Sequence, residues 1–235
     1  MKRIAYLIQT KLPNYKEYAF YAYNMPYNHQ WWEEKYIRWD KLLAQTPFTS
    51  LRNQCGSVPL TRQMIIDMFR QKKYYDGFLC AMVWGNIGTN LGGQKCFTSV
   101  FDINNKQKID ADIHNVISLL QQGYIQQAYQ SLQSSGANKI GRIGEAFFTK
   151  LLYFSGAAIN NPILYPSPII FDRIMHDVYD TIVHIIGYQS PHGATARYMD
   201  YCSKMEELRN LLILPTSGHV EALLFCPGIR NYIFH

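Results

Sequence analysis

Charge, cysteine and long apolar runs are all in short supply in this sequence, and each shortage removes a class of protein. Only 17% of the 235 residues are Asp, Glu, Lys or Arg while 48% are hydrophobic, a balance that suits a folded core rather than a solvated, disordered chain. The five cysteines, Cys55, Cys80, Cys96, Cys202 and Cys226, are odd in number and include no C-x-x-C pair. That spacing excludes a zinc ribbon and a four-cysteine iron-sulfur cluster, and it reads as free thiols in a reducing compartment. The apolar stretch Ile4 to Ile8 is too short for a signal-peptide core, and no membrane-spanning run follows. The expected location is therefore the cytoplasm. Acidic residues are the scarcer sign, 17 against 23 Lys and Arg, which leaves a formal charge of +6. Such an excess favours an anionic partner, although many basic proteins bind no nucleic acid.

Strand-like alternation is also scarce, and helical spacing takes its place. Leu60, Met64, Ile65, Met68 and Phe69 recur as on an amphipathic helix, with Arg62 and Lys72 on other faces. Ile109 to Leu120, Tyr124 to Leu132, Phe171 to Ile186 and Tyr198 to Leu212 show similar patterns. Pro162, Pro166 and Pro168 make the segment before Phe171 an extended loop. The sequence therefore predicts an all-α fold. Ten aromatics crowd residues 15–39, among them Tyr15, Tyr18, Tyr21, Tyr23, Trp31 and Trp32. They suit either a base-stacking surface or, preferably, a core flank. Gly85 to Gly88 and Gly92-Gly93 lack the Lys-Ser/Thr ending of a phosphate-binding loop and read as a loop after a helix.

The informative string is Lys139-Ile140-Gly141-Arg142-Ile143-Gly144 ahead of the apolar run Glu145 to Phe154. A glycine turn opening a helix presents backbone N–H groups that can hold a phosphate without reading sequence. Downstream, Pro168-Ile169-Ile170-Phe171 leads to Asp172 at the start of a helix. Asp172 is the catalytic candidate; the plainer role for an Asp at that place is an N-cap.

Together these pieces resemble the helix-hairpin-helix DNA glycosylases, and within them the bacterial branch with an 8-oxoguanine-glycosylase-like fold. Met82-Val83-Trp84-Gly85 and Val220 to Phe225 add to the resemblance, which spans about residues 75–230. It implies a two-lobed helical unit over residues 1–235, with an aromatic-rich segment over 1–59, the helix-hairpin-helix over 123–156 and the loop and Asp helix over 157–186. It further implies excision of a modified base that has been turned out of double-stranded DNA, with no cofactor and no membrane partner. A fixed carboxylate would stabilise the cationic sugar as the N-glycosidic bond breaks.

Bifunctional members of that superfamily carry a nucleophilic Lys in the first turn after the hairpin, and here Ala146 stands at that place. The nearest lysine, Lys150, comes one turn later and shares a helix side with Ala146 and Tyr153. The alignment favours a monofunctional, water-using enzyme that leaves an abasic site, with Lys150 as the alternative nucleophile. Lys139, Gly141, Arg142, Ile143 and Gly144 are expected to grip DNA. Trp84, Phe171 and Tyr198 are expected to sandwich the extruded base, with Asn86 or Asp200 reading its edge. The base could be 8-oxoguanine or a hypermodified phage base such as a modified cytosine, in repair or anti-phage defence, and the expected state is a monomer. Two other readings stay open. One is a DNA-binding sensor module without chemistry; the other is a metal-dependent phosphohydrolase using His176, Asp180 and His184, which repeat every four residues.

Overall fold

A computed structural model of the chain describes residues 1–25, 60–84, 106–159 and 164–234, the side chains of Val83 and Lys106 excepted. Among the described residues there are eleven α-helices and no strand. They are α1 (Lys2–Lys11), α2 (Tyr15–Asn24), α3 (Arg62–Arg70), α4 (Tyr74–Trp84), α5 (Lys106–Gln121), α6 (Ile125–Leu132), α7 (Glu145–Ile159), α8 (Arg173–Ile186), α9 (Ala194–Leu212), α10 (Ser217–Phe225) and α11 (Pro227–Phe234).

Local chemistry sets several of these ends. Thr61 caps α3 by accepting the Met64 N–H at 3.2 Å, and Asp172 caps α8 in the same way through Met175. α8 stops at Gly187, whose φ of 65° is the left-handed conformation that glycine adopts without a Cβ penalty. Its buried face, Met175, Val178, Tyr179, Ile182 and Val183, has the spacing of an amphipathic helix.

Two helices do not fit that half-buried pattern. Every residue of α7 from Phe148 to Gly156 is buried, as is α10 from Ser217 to Leu224. α7 is the axis of one group and packs against α3, α4, α5 and α6. α10 serves a second group, touching α2, α8, α9 and α11, while α1 closes that group against α8, α9 and α11. Small residues allow close approach where elements cross. A Cβ on Gly156 would lie 2.5 Å from Pro168, and one on Gly218 would lie 2.7 Å from the Tyr153 hydroxyl.

Two of the expected helices start earlier than their apolar pattern, α5 at Lys106 and α9 at Ala194 rather than Tyr198, while α3, α6 and α8 start one or two residues later. α1, α2, α10 and α11 are additions. Of the N-terminal aromatics, Tyr15 is core and donates its hydroxyl to the Leu212 carbonyl at 2.8 Å, whereas Tyr18, Phe20 and Tyr21 are exposed. Tyr27, Trp31, Trp32, Tyr36, Trp39 and the Gly85–Gly93 stretch lie outside the described residues. Cys202 and Cys226 are free thiols. Among the described residues no helix is long and apolar enough to cross a membrane.

Candidate active site

α6 ends at Leu132, and residues 133–144 carry the chain to α7. Within that connection the Ile143 N–H reaches the Ile140 carbonyl at 3.2 Å. Both isoleucines are buried, so the turn is plugged into the core, while Lys139, Gly141, Arg142 and Gly144 face outward. The left-handed position of the turn is occupied by Arg142, at φ 62°. Neither Gly141 nor Gly144 adopts that conformation, and a Cβ on either would meet nothing within 4 Å. The chain itself therefore does not require glycine at these places. What glycine supplies is bare backbone that a large external group can approach closely, next to the N-terminus of α7.

α7 then carries Lys150 into the interior, where the loop before α8 meets it. That loop is pinned on three sides. The Phe171 N–H donates to Thr149 Oγ1 at 3.0 Å, Tyr198 donates to the Ile169 carbonyl at 3.1 Å, and Tyr201 donates to the Ile170 carbonyl at 2.9 Å. The extended backbone so fixed delivers Asp172 to the first turn of α8, with one carboxylate oxygen on the Met175 N–H at 3.1 Å. Its other oxygen lies 3.9 Å from Lys150 Nζ. The Asp172 side chain keeps 18% of its surface exposed and that of Lys150 only 6%, so solvent reaches the pair from the carboxylate side.

The Lys150 ammonium donates to the Ala146 carbonyl at 2.6 Å. Helical side chains lean toward the N-terminus of their helix, so an amine from one turn later occupies the space beside Ala146. Burial lowers the Lys150 pKa, with Arg62 pushing the same way and Asp172 and Glu221 opposing. A larger share of neutral amine results.

Arg62 and Glu221 form a buried ion pair at 2.8 Å in the same region. The guanidinium lies 4.6 Å from the ring centre of Trp84, 5.3 Å from that of Tyr153 and 5.6 Å from that of Tyr23, within cation–π range. This corrects the expectation that Arg62 sits off the apolar face of its helix. Four partners from other elements draw the side chain inward, which helical periodicity within α3 does not register. Burial pulls the guanidinium toward neutrality, but Glu221 together with Tyr153 and Tyr23 outweighs it, and Arg62 stays charged. Burial raises Glu221 against the pull of Arg62.

Of the expected base-pocket residues, Phe171 and Tyr198 are neighbours, 6.1 Å apart ring centre to ring centre, and both are buried. Trp84 packs edge-on against Phe154 and under Arg62. Phe171 is buried between His176 at 3.7 Å and Tyr201 at 4.3 Å, ring centre to ring centre. Tyr198 is wholly buried and stacked on Tyr129 at 4.3 Å. Asp200 accepts hydrogen bonds from Tyr179 at 2.5 Å and Tyr188 at 3.1 Å. Asn86 lies outside the described residues. Phe171 and Tyr198 are thus core, because the loop that carries Phe171 is fastened to Thr149 of α7 and to Tyr198 and Tyr201 of α9.

A recess of about 760 Å³ opens instead beyond Tyr153, with Tyr23, Gly156, Pro168, Glu206 and His219 among its walls. Tyr153 and Ala157 reach it from the helix side that bears Lys150. The Tyr153 hydroxyl is buried and has no hydrogen-bond partner among the described residues. His219 stacks on Tyr23 at 3.9 Å and contacts Thr216 Oγ1 through Nδ1 at 2.8 Å. Burial lowers its pKa to about 4. Tyr23, Arg62, Tyr153, His219 and Glu221 were all missed as site residues. One signal was available: Glu221 is the lone acidic residue in the apolar run Val220–Phe225.

The helix face proposed for a metal is committed elsewhere. His176 pairs with Glu145 at 3.0 Å and Asp180 with Arg197 at 2.6 Å. Among the described residues no three His, Cys, Asp or Glu are placed to hold an ion.

No curated protein and no solved structure matches the chain. A family model does match it over residues 20–225, which takes in the hairpin, Lys150, Asp172 and Glu221. The chain belongs to the family described as "Putative 8-oxoguanine DNA glycosylase OGG-like protein".

Proposed function

We propose that the protein turns a modified base out of double-stranded DNA and cleaves its N-glycosidic bond, with Asp172 stabilising the cationic sugar and Lys150 attacking C1′. The observation that carries this reading is a buried amine of lowered pKa, 3.9 Å from a carboxylate fixed at a helix start. As the base departs with the bonding electrons and takes up a proton, charge develops at C1′ and the Asp172 carboxylate favours it. The neutral Lys150 nitrogen then forms the N–C1′ bond and loses a proton as the sugar ring opens to an imine. Elimination from that imine would cut the strand.

The exposed backbone at Gly141 and Gly144, with Lys139 and Arg142 beside it, supports docking of a DNA phosphate. The recess beyond Tyr153 is of a size that holds drug-sized ligands. That leaves room for 8-oxoguanine and also for a base with a bulky substituent, such as a modified phage cytosine. Repair and anti-phage defence are both compatible with this chemistry.

The alternative route, with water as nucleophile and an abasic site as product, rests on Ala146 standing where the family's lysine is expected. One experiment separates the readings. Purified protein is incubated with duplexes containing 8-oxoguanine and with phage DNA carrying modified cytosines, with and without borohydride, and released bases are identified by mass spectrometry. Release with a covalent adduct that Lys150→Gln abolishes supports the amine route. Release with no adduct establishes the water route. Tight binding with no release from any substrate identifies a sensor module.

A further inference from the structure

We infer that the buried Arg62–Glu221 pair is a positioning device that sets the charge state of the Lys150 amine and thereby the pH at which it can react. The inference rests on the amine route above. Its ground is the location and the energetics of the pair. Arg62 comes from α3, Glu221 from α10, Lys150 from α7 and Asp172 from the start of α8. The Arg62 guanidinium lies 5.3 Å from the ring centre of Tyr153, one turn beyond Lys150 on α7, and a Cβ on Gly218, one turn before Glu221 on α10, would lie 2.7 Å from the hydroxyl of the same Tyr153.

Fold stability alone explains the pair poorly. Both side chains are at most 5% exposed and lie 2.8 Å apart. Yet Arg62 Nη1 and Glu221 Oε2 have no aligned hydrogen-bond partner among the described residues. Buried ions that lack such bonds do not recover their desolvation cost well, and apolar residues of similar volume hold a fold as well or better. The effect these charges do have is on their neighbours. The charged groups acting on Lys150 are Asp172, Glu221 and Arg62. Tyr153 on the same helix and Tyr201 on α9 are held neutral by burial.

The sum of charges is informative. With Lys150 neutral, Arg62 offsets Glu221 and the Asp172 charge is left over, which suits a cation developing at the sugar. With Lys150 protonated the four groups sum to zero and that preference is lost. Arg62 disfavours the protonated amine and Glu221 favours it, so the pair balances the nucleophile between the two states.

The test uses DNA with a preformed abasic site, whose aldehyde C1′ is available whatever base the enzyme removes. The amine and aldehyde condense to an imine with loss of water, and cyanoborohydride reduces the C=N bond to a stable cross-link. The yield is followed from pH 5 to 9. Loss of Glu221 in Glu221→Gln should move the acidic limb of the profile down by about one pH unit, and loss of Arg62 in Arg62→Gln should move it up by a similar amount. The double variant should return toward wild type. Opposite displacements are a result that a purely structural role would not give. Coincident limbs in all variants that cross-link would overturn the inference. If Arg62→Gln does not fold, the nearly isosteric Glu221→Gln decides alone, by a downward shift or none. Failure of the wild type to cross-link at any pH would refute the amine route itself, a distinct outcome.

Discussion

Replacing Asp172 with asparagine separates two roles that one side chain combines. Asp172 caps α8 through a 3.1 Å bond to the Met175 N–H, and asparagine is an equally good cap. The loss of capping should therefore be only a few tenths of a kcal/mol, or about 1–2 °C in melting temperature, provided that the buried Lys150 amine is neutral in the folded variant. The charge is another matter. A cation as far from the carboxylate as Lys150 Nζ, at 3.9 Å, gains about 4 kcal/mol at an effective dielectric constant of about 20. If the sugar cation of the transition state sits at a similar distance, Asp172→Asn should slow base release roughly a thousandfold. The assay is single-turnover release of base, identified by mass spectrometry, alongside a thermal melt. Cross-linking to a preformed abasic site should survive, because no glycosidic bond has to break and loss of Asp172 removes a charge that favours the protonated amine. Release within about tenfold of wild type, with an unchanged melt, would refute the reasoning and leave Asp172 as a cap alone.

Two further predictions concern the hairpin and the recess. Gly141→Val adds a side chain whose Cβ meets nothing within 4 Å, so the melt should stay within about 0.5 kcal/mol of wild type while affinity for duplex DNA falls by about tenfold or more, measured by fluorescence anisotropy. Unchanged affinity would remove Gly141 from the DNA contact. His219 has a folded-state pKa near 4, below its ordinary value, because burial disfavours the charged ring. The unfolded chain then binds more protons between about pH 6.5 and 4. The contribution of His219 to stability should be complete above that window and fall as pH drops through it. Melts across the window should show this slope in the wild type and a shallower one in His219→Gln, and equal slopes would show that His219 is not its source.

Much of the fold was legible because the helices that carry it are half-buried. α3, α6 and α8 each bury residues at the spacing of one helix face, and that periodicity is a local property of the chain. α2 and α10 escaped it for opposite reasons: α2 is aromatic on nearly every side, and α10 is buried all round, so neither shows a clear polar face. Asp172 and the hairpin glycines were legible for a similar reason, since caps and turns are written into short strings.

The sequence by itself determined an all-helical chain, a glycine hairpin before an apolar helix and a carboxylate at a helix start. Only the tertiary structure decided what stands around that carboxylate. The Lys150 amine lies beside Ala146 because its side chain leans back one turn, and its distance to Asp172 depends on a loop fastened by Thr149, Tyr198 and Tyr201. Arg62 and Glu221 are 159 positions apart in the chain, and their pairing depends on how two groups of helices meet. Charges in a buried site act across space over several ångströms, whereas the patterns readable in a sequence act along the chain over one or two turns. That difference in reach is why the hairpin and the cap were found in the sequence and the charge network was not.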